Sequence, residues 1–155
     1  MQFKQLKKSW YMFFFQHGLA DVVVGMDDLA FIDGLWADWS PGYDGAEDVA
    51  HVKDALRDPA NLAAALGYYR ATLGGVGVDP ALDAVQAAGA NVTAQPTLYL
   101  HGRTDGCMGV EIAEASAAFL TSEGSRVEIV DGAGHFLHVE KPAEVNGLIL
   151  DFIGS

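Results

Sequence analysis

Hydrophobic and polar residues follow a helical period over the first half of this chain. Residues 9–16 are dense in aromatic side chains. Three stretches then place apolar residues at helical spacing with polar residues between them, and each predicts a helix: 19–37, 46–57 and 60–73. A loop rich in glycine, at residues 74–80, ends this part of the chain. The pattern therefore predicts an all-helical segment over residues 1–80.

The second half has a different pattern. Residues 95–101 and 126–130 are short runs rich in β-branched and other apolar residues, which is typical of buried parallel strands. Residues 109–122 and 142–153 predict helices, the second with Pro142 in its first turn. Residues 81–155 are thus predicted as strand–helix–strand–helix, the end of a doubly wound parallel sheet. The fold class predicted for the whole chain is α/β.

Composition narrows the class of protein. The 155 residues suit one domain or a piece of one, and 50% hydrophobic residues allow a substantial core. A net charge of −12 argues against binding to nucleic acid or to an anionic membrane surface. No run reaches the roughly 18 apolar residues of a membrane span, and the apolar run WYMFFF is too short for a signal peptide. A single cysteine, Cys107, fits a reducing compartment, so we expect a cytoplasmic protein.

An acid and a histidine follow the two predicted strands. Asp105 lies in PTLYLHGRTD and His135 in DGAGHFLHVEKP, each in a loop that contains glycine. Because the carboxyl ends of parallel strands meet at one edge of a sheet, the two side chains can form the acid–base part of a nucleophile–His–acid triad. The alternatives are a loop-capping role for Asp105 and a backbone-bonded role for His135.

Three other residues near these motifs are weaker candidates. His101 is expected at the strand end and His138 near the start of the last helix, both as structural residues. Cys107 is expected to be a packed side chain, because the neighbouring acid raises a thiol pKa and weakens the thiol as a nucleophile. A zinc site is a weak alternative, since no ligand pair has a familiar spacing with carboxylate support.

These motifs resemble those of the α/β-hydrolase superfamily, and of its epoxide hydrolase-like branch in particular. The resemblance covers nearly the whole chain, with a helical lid over residues 1–80 and the C-terminal part of the hydrolase core over residues 81–155. It implies that Asp105 is the acid and His135 the base of the catalytic triad. The family order is nucleophile, lid, acid, base, so this sequence corresponds to the part that begins at the lid.

Two lid tyrosines make the resemblance more specific. Members of the epoxide hydrolase branch use two tyrosine hydroxyls to hold the epoxide oxygen, and the matches here are WYMFFFQ and GYYR. The resemblance therefore assigns this role to Tyr11 and Tyr69, with Tyr68 where the family has a tryptophan. Phenol donors suit the alkoxide that develops as an epoxide opens. The alternatives are aromatic packing for Tyr11 and a helix-surface position for Tyr69.

The triad nucleophile is missing from the sequence. The 155 residues contain no G-x-S-x-G or G-x-D-x-G elbow, and Met1 directly precedes lid sequence. We expect a C-terminal half that pairs with an N-terminal half and shows no substantial turnover alone. The intact enzyme is expected to act on a small apolar epoxide through an Asp nucleophile, without metal or organic cofactor.

Three other functions remain open. A Ser nucleophile would give an esterase, and an Asp nucleophile with a tryptophan-lined halide site would give a haloalkane dehalogenase, for which Trp10, Trp36 and Trp39 are candidates. The third is a non-catalytic truncated half. Such a half would expose apolar surface and a strand edge, and would tend to seek a partner.

Overall fold

A computed structural model describes residues 3–75 and 77–154 of the chain. Met1 and Ser155, the outer limits of the two predicted segments, lie outside the described residues, as does Val76 in the predicted glycine-rich loop. The structure divides into two compact units. We call residues 3–37 and 44–90 the helical unit, and residues 38–43 and 91–154 the sheet unit.

The division differs from the predicted boundary after residue 80. The chain passes between the units at residue 90, and the short segment Asp38–Tyr43 also belongs to the sheet unit. That segment carries Trp39 and Ser40, whose backbone and side chain bond to the loops after the strands. Because these contacts join residues about 100 positions apart, local sequence pattern does not predict them.

The described residues up to 75 are largely helical, as the periodicity predicts, whereas the helix at residues 83–88 was not predicted. The α-helices are α1 (Phe3–Lys8), α2 (Trp10–Phe14), α3 (Ala20–Val23), α4 (Met26–Trp39), α5 (Ala46–Leu56), α6 (Pro59–Gly74) and α7 (Asp83–Ala88). A 3₁₀ turn at Pro80–Leu82 precedes α7. Helix α6 is well delimited, because the Asp58 carboxylate caps the N–H of Ala60 at 2.8 Å and Gly75 ends the helix with a left-handed φ of 66°.

One predicted helix is interrupted. The helical period over residues 19–37 becomes α3 and α4, and three consecutive residues near the start of α4 have left-handed backbone angles, namely Asp27, Asp28 and Leu29. Left-handed backbone costs about 1–2 kcal/mol per residue for residues with a Cβ. Leu29 is nevertheless buried, at 3% exposure. The turn therefore places an apolar side chain in the core of the unit, which a regular helix would orient differently.

The helical unit has an aromatic and aliphatic core. Its buried apolar residues are Tyr11, Phe15, Ala20, Val24, Leu29, Ile32, Leu35, Val49 and Leu66.

None of the helices within the described part of the chain combines the length and the apolarity that crossing a bilayer requires.

The sheet unit contains two parallel strands. Strand β1 (Leu98–Gly102) pairs with β2 (Arg126–Val130), with Leu98 opposite Arg126 and Gly102 opposite Val130. Strand β2 covers the residues predicted for it, whereas β1 begins three residues later than predicted and ends one residue later. Both strands end at the same edge, so the loops after Gly102 and Val130 are neighbours.

Helices cover and follow this parallel pair. They are α8 (Val110–Ser116), α9 (Leu137–Glu140) and α10 (Pro142–Ile153), with a 3₁₀ turn at Ala117–Phe119 after α8. Helix α10 was predicted over the same residues, while the α-helical part of the predicted 109–122 helix ends at Ser116. The apolar core is formed by Val130, Ala133 and Val145, with Leu100, Leu137 and Leu148 packed against it.

Candidate active site

Asp105 and His135 form a hydrogen-bonded pair at the carboxyl ends of the two strands. Their closest atoms, Asp105 Oδ2 and His135 Nδ1, are 3.0 Å apart. The other carboxylate oxygen, Oδ1, accepts hydrogen bonds from the backbone N–H groups of Cys107 and Met108, both at 2.7 Å. Asp105 is 5% exposed, so its carboxylate is shielded from solvent and its orientation is fixed by these three donors, whereas the His135 side chain is 30% exposed.

The surroundings of Asp105 keep it ionised. Burial raises the pKa of the carboxyl, but the hydrogen bonds from His135 and from the Met108 and Cys107 amides outweigh burial, and the pKa lies below its usual value of 3.8. An ionised carboxylate can only accept hydrogen bonds, so His135 Nδ1 carries the proton and donates it to Asp105. Nε2 is then the unprotonated nitrogen of the neutral ring, the form that a general base requires.

Glycine allows the loops around this pair to approach one another closely. A Cβ on Gly106 would lie 1.7 Å from the carbonyl oxygen of Asp38, and one on Gly134 would lie 2.5 Å from Ser40 Cα. Both neighbours are backbone atoms, which cannot move aside as a flexible side chain could. The glycines beside the acid and the base are therefore required by the close approach of residues 38–40.

The Trp39 carbonyl bonds to both the acid loop and the base loop. The Trp39 carbonyl oxygen accepts hydrogen bonds from the N–H of Gly106 and from the N–H of His135, both at 3.0 Å. The Trp39 ring also packs against the His135 ring, with 5.2 Å between the ring centroids. Trp39 thus fixes the base through its backbone and its side chain, a role that the sequence did not reveal.

The two other histidines near the motifs occupy different positions. His101 is buried at the end of β1, where the Tyr99 hydroxyl donates to its Nδ1 at 3.2 Å and its Nε2 donates to the Met108 carbonyl at 3.3 Å. His101 Nε2 lies 3.7 Å from Asp105 Oδ2, farther than His135 Nδ1. His138 lies within α9. His135 is therefore the histidine that Asp105 orients.

Cys107 is buried beside the acid, as expected for a packed side chain. Together with Asp105 and His135 it offers three possible metal-ligand atoms within 4.8 Å of one another. However, both oxygens of Asp105 already accept hydrogen bonds, and a metal ion would have to displace the bond from His135. The arrangement fits an oriented acid–base pair better than a metal centre.

Tyr11 and Tyr69 lie against each other within the helical unit. Tyr11 on α2 and Tyr69 on α6 have ring centroids 5.6 Å apart and nearly perpendicular ring planes. Phe15 packs against both rings, with its centroid 5.6 Å from Tyr11 and 5.0 Å from Tyr69. Tyr68 is 81% exposed, so it is Tyr69 rather than its neighbour that joins Tyr11. The two predicted lid tyrosines are thus a contacting pair.

The final residues of the two tyrosine motifs link the helices that carry them. Gln16 Nε2 donates to the Tyr69 carbonyl at 2.9 Å, and Arg70 Nε donates to the Phe15 carbonyl at 2.9 Å. Arg70 also donates twice to the Asp21 carboxylate, at 3.0 and 2.9 Å. Each motif therefore ends in a side chain that bonds to the backbone of the other motif. Gln16 and Arg70 marked the motifs in the sequence, but their structural role was not predicted.

The tryptophans considered for a halide site belong to different units. Trp10 packs against Phe14 and Phe31 in the helical unit, whereas Trp39 faces His135 in the sheet unit.

Two further residues near His135, namely Ser40 and Glu140, were not identified from the sequence. Glu140 lies inside the GAGHFLHVEKP motif, which was the available signal, while nothing in the local sequence distinguished Ser40.

Comparison with known proteins shows the fold. No family model matches the chain. It is 29% identical over 109 residues to the AB hydrolase superfamily protein YfhM of Bacillus subtilis strain 168, a match that covers 70% of this chain and 34% of that protein. The crystal structure of a candidate epoxide hydrolase from Klebsiella pneumoniae matches with a TM-score of 0.79 at 22% identity, over 98% of this chain and 51% of that one.

The chain therefore spans about a third of the Bacillus relative and about half of the Klebsiella structure. It has the C-terminal part of an α/β-hydrolase fold, with a helical region followed by the last strands and helices of the parallel sheet. The fold class predicted from the sequence is confirmed. The catalytic roles of Asp105, His135, Tyr11 and Tyr69 remain predictions.

Proposed function

We propose that this chain provides the lid and the acid–base pair of an epoxide-opening α/β-hydrolase whose Asp nucleophile comes from a segment outside this sequence. The observation that carries the proposal is the 3.0 Å hydrogen bond between His135 and a buried Asp105. A carboxylate held by two backbone amides and one imidazole is arranged to orient a general base. The proposed partner is accordingly an N-terminal half of the fold that carries the nucleophile elbow.

In the first proposed step the Asp carboxylate of that segment attacks one carbon of the epoxide. A carbon–oxygen bond forms to the enzyme, the ring carbon–oxygen bond breaks, and the negative charge moves to the former epoxide oxygen. We assign Tyr11 and Tyr69 as the phenol donors that stabilise this alkoxide. The contact between their rings supports the assignment, because it places two phenols in one neighbourhood of the helical unit.

In the second proposed step water hydrolyses the ester. His135 Nε2 accepts a proton from water as the oxygen attacks the ester carbonyl carbon, the bond between that carbon and the alcohol oxygen breaks, and the imidazolium returns the proton to that oxygen. The nucleophile is regenerated as a carboxylic acid, whose proton neutralises the alkoxide of the first step, and the diol is released. Asp105 stabilises the imidazolium and holds its orientation without taking the proton. These steps need neither a metal ion nor an organic cofactor.

The description of the Klebsiella protein as a candidate epoxide hydrolase supports an epoxide over other substrates. The tyrosine pair supports it independently. An ester or a haloalkane remains the alternative substrate, and the ring of Trp39 beside His135 is the observation in favour of the haloalkane. A chain that folds without any catalytic role is the remaining alternative. We propose a cytoplasmic setting and a small apolar substrate.

A fusion protein tests this function. The part of the Klebsiella protein that this chain does not cover would be joined ahead of Met1, and the folded fusion assayed with styrene oxide, a p-nitrophenyl ester and a 1-haloalkane. We expect diol formation from styrene oxide that Asp105→Asn and His135→Gln each abolish. Turnover of the ester or the haloalkane alone would identify the alternative substrate. A folded fusion inactive on all three would support the non-catalytic alternative.

The unfused chain is the matched control for that assay. Without a nucleophile it cannot form the covalent ester, so no substantial turnover of styrene oxide is expected. Turnover at enzyme-like rates by the unfused chain, lost on Asp105→Asn, would contradict the proposed need for an external nucleophile.

A further inference from the structure

The carboxylate of Glu140 binds the loop that carries His135 on both sides of the histidine. Its Oε2 accepts a hydrogen bond from the N–H of Gly134 at 2.7 Å, and its Oε1 accepts one from the N–H of Phe136 at 3.1 Å. The N–H groups of the residues before and after His135 are therefore held by one side chain. Glu140 lies on α9, only a few residues after the loop, so the bonds close a compact ring of backbone.

Ser40 connects the base loop to the segment Asp38–Tyr43. Its hydroxyl donates to Glu140 Oε1 at 2.7 Å, and the Phe136 N–H lies 3.3 Å from the same hydroxyl oxygen. Ser40 is 2% exposed, so the bond to Glu140 is shielded from water. The preceding carbonyl, that of Trp39, accepts from His135 and from Gly106. The N–H of His135 and its two neighbouring N–H groups thus all have fixed acceptors.

We propose that Glu140 is a positioning residue for His135, acting through the backbone of the base loop and locked in place by Ser40. The inference rests on the proposed function, since it assigns Glu140 to the orientation of the same acid–base pair. Three donors point at two carboxylate oxygens, and a carboxylate is the side-chain group that accepts at both ends. An amide in its place would direct an NH₂ group at one of those donors.

These hydrogen bonds matter because the imidazole ring of His135 must be accurately positioned. A base must hold its ring nitrogen within a narrow distance of the reacting atom, and a displacement of about 1 Å can cost roughly 100-fold in rate. The hydrogen bond to Asp105 fixes one end of the ring, but rotation of the backbone at His135 would still move the other end. Glu140 limits that freedom by holding the peptide group after His135 and the N–H of Gly134, while the Trp39 carbonyl holds the peptide group before His135.

Nuclear magnetic resonance on the full ¹⁵N-labelled chain tests the proposal without needing turnover. The readouts are amide exchange at Gly134 and Phe136 and the signal of the proton on His135 Nδ1. In Glu140→Gln we expect exchange at both amides to accelerate about tenfold or more, since hydrogen bonds to charged acceptors are the strong ones. We also expect the Nδ1 proton signal to weaken or broaden, because the ring no longer holds one orientation.

Glu144→Gln is the matched control. Glu144 lies four residues later, is exposed, and pairs with Lys141 at 3.7 Å, so the variant removes the same charge without touching the base loop. It should leave both readouts at the wild-type values. Exchange rates are compared with those of the β1–β2 ladder amides, which separates a local opening from general destabilisation.

Two results would overturn the proposal. One is a Glu140→Gln protein with unchanged exchange at Gly134 and Phe136. The other is a protein with faster exchange and an unaltered Nδ1 proton signal, which would make Glu140 a structural residue alone. Ser40→Ala, which keeps the Glu140 charge, provides a milder second variant in case Glu140→Gln unfolds, and the same two readouts decide it.

Asp105→Asn separates failure of this inference from failure of the proposed function. If the Nδ1 proton signal survives in Asp105→Asn, the acid–base pair itself is wrong. If the signal is lost in Asp105→Asn but unaffected in Glu140→Gln, the pair stands and the role of Glu140 is wrong.

Discussion

The two candidate pairs of this protein are held in place by different means. Asp105 and His135, in the sheet unit, are fixed by backbone hydrogen bonds and by loops that approach so closely that glycine is required. Tyr11 and Tyr69, in the helical unit, are fixed by packing of aromatic rings and by the long side chains of Gln16 and Arg70. The first arrangement consists of short hydrogen bonds between closely packed loops, whereas the second consists mainly of contacts between aromatic rings.

This difference follows from what each pair is proposed to do. A base that removes a proton from water must present one nitrogen in one direction, and backbone groups provide that precision because they cannot change rotamer. Phenols that hold an oxygen of a variable substrate can tolerate small adjustments, and ring packing permits them. The comparison predicts that the sheet unit responds sharply to small changes and that the helical unit responds weakly.

The largest effect is expected from adding one methyl group beside the acid. Gly106→Ala would place a Cβ 1.7 Å from the Asp38 carbonyl oxygen, so backbone must move apart. We expect a loss of about 3 kcal/mol or more in the free energy of unfolding, at the upper end of overpacking effects. The loss in the free energy of unfolding is measured by urea denaturation.

Gly147→Ala is the control for that substitution. Gly147 lies within α10, and an added Cβ there meets nothing within 4 Å. Alanine should stabilise the helix by about 0.5–1 kcal/mol. Equal effects of the two substitutions would show that the loops around Asp105 are not closely packed.

A smaller effect is expected from Asp105→Asn. The amide can still accept from a backbone N–H but offers no charged acceptor to His135, so we expect a loss of about 1–3 kcal/mol near pH 7. The folded pKa of Asp105 lies below its usual 3.8, so its stabilisation is present above that pH and is lost as pH falls through the folded value. The difference between wild type and variant should therefore shrink below about pH 4.

Urea denaturation over a pH series checks this prediction, with Asp151→Asn as the control. Asp151 is an exposed acid on α10 of the same unit. If the difference in the free energy of unfolding between wild type and Asp105→Asn stays constant down to pH 2, the charge of Asp105 contributes nothing to folding.

The smallest effect is expected in the helical unit. Gln16→Ala removes the bonds to the Met12 and Tyr69 carbonyls, which should cost about 1 kcal/mol, and leaves the ring contacts of Tyr11 and Tyr69 in place. Thermal unfolding gives the stability change, with Gln86→Ala on exposed α7 as the control. A loss as large as that of Gly106→Ala would contradict the contrast between the units.

Much of the fold was predictable because its signals are local. Strand β2 and helix α10 follow from runs of apolar residues bounded by glycine and proline, and both were predicted over the residues observed. The start of β1 and the end of α8 were less accurate, because pairing and packing rather than propensity decide where an element stops. The left-handed turn at Asp27–Leu29 has no signal in the pattern of apolar residues.

The sequence by itself determined the α/β class, through the order of helical and strand patterns, and the strand-end positions of Asp105 and His135, through short motifs. It also singled out Tyr11 and Tyr69 as a candidate pair, whose role remains a prediction. The tertiary structure alone decided how these residues are held. It brings Trp39 and Ser40 to the base loop across 100 positions of sequence, pairs Gln16 with the Tyr69 carbonyl, and makes Glu140 an acceptor for both neighbours of His135. Hydrogen bonds and close approaches of this kind join segments that are distant in the sequence, so local periodicity and motif spacing do not predict them.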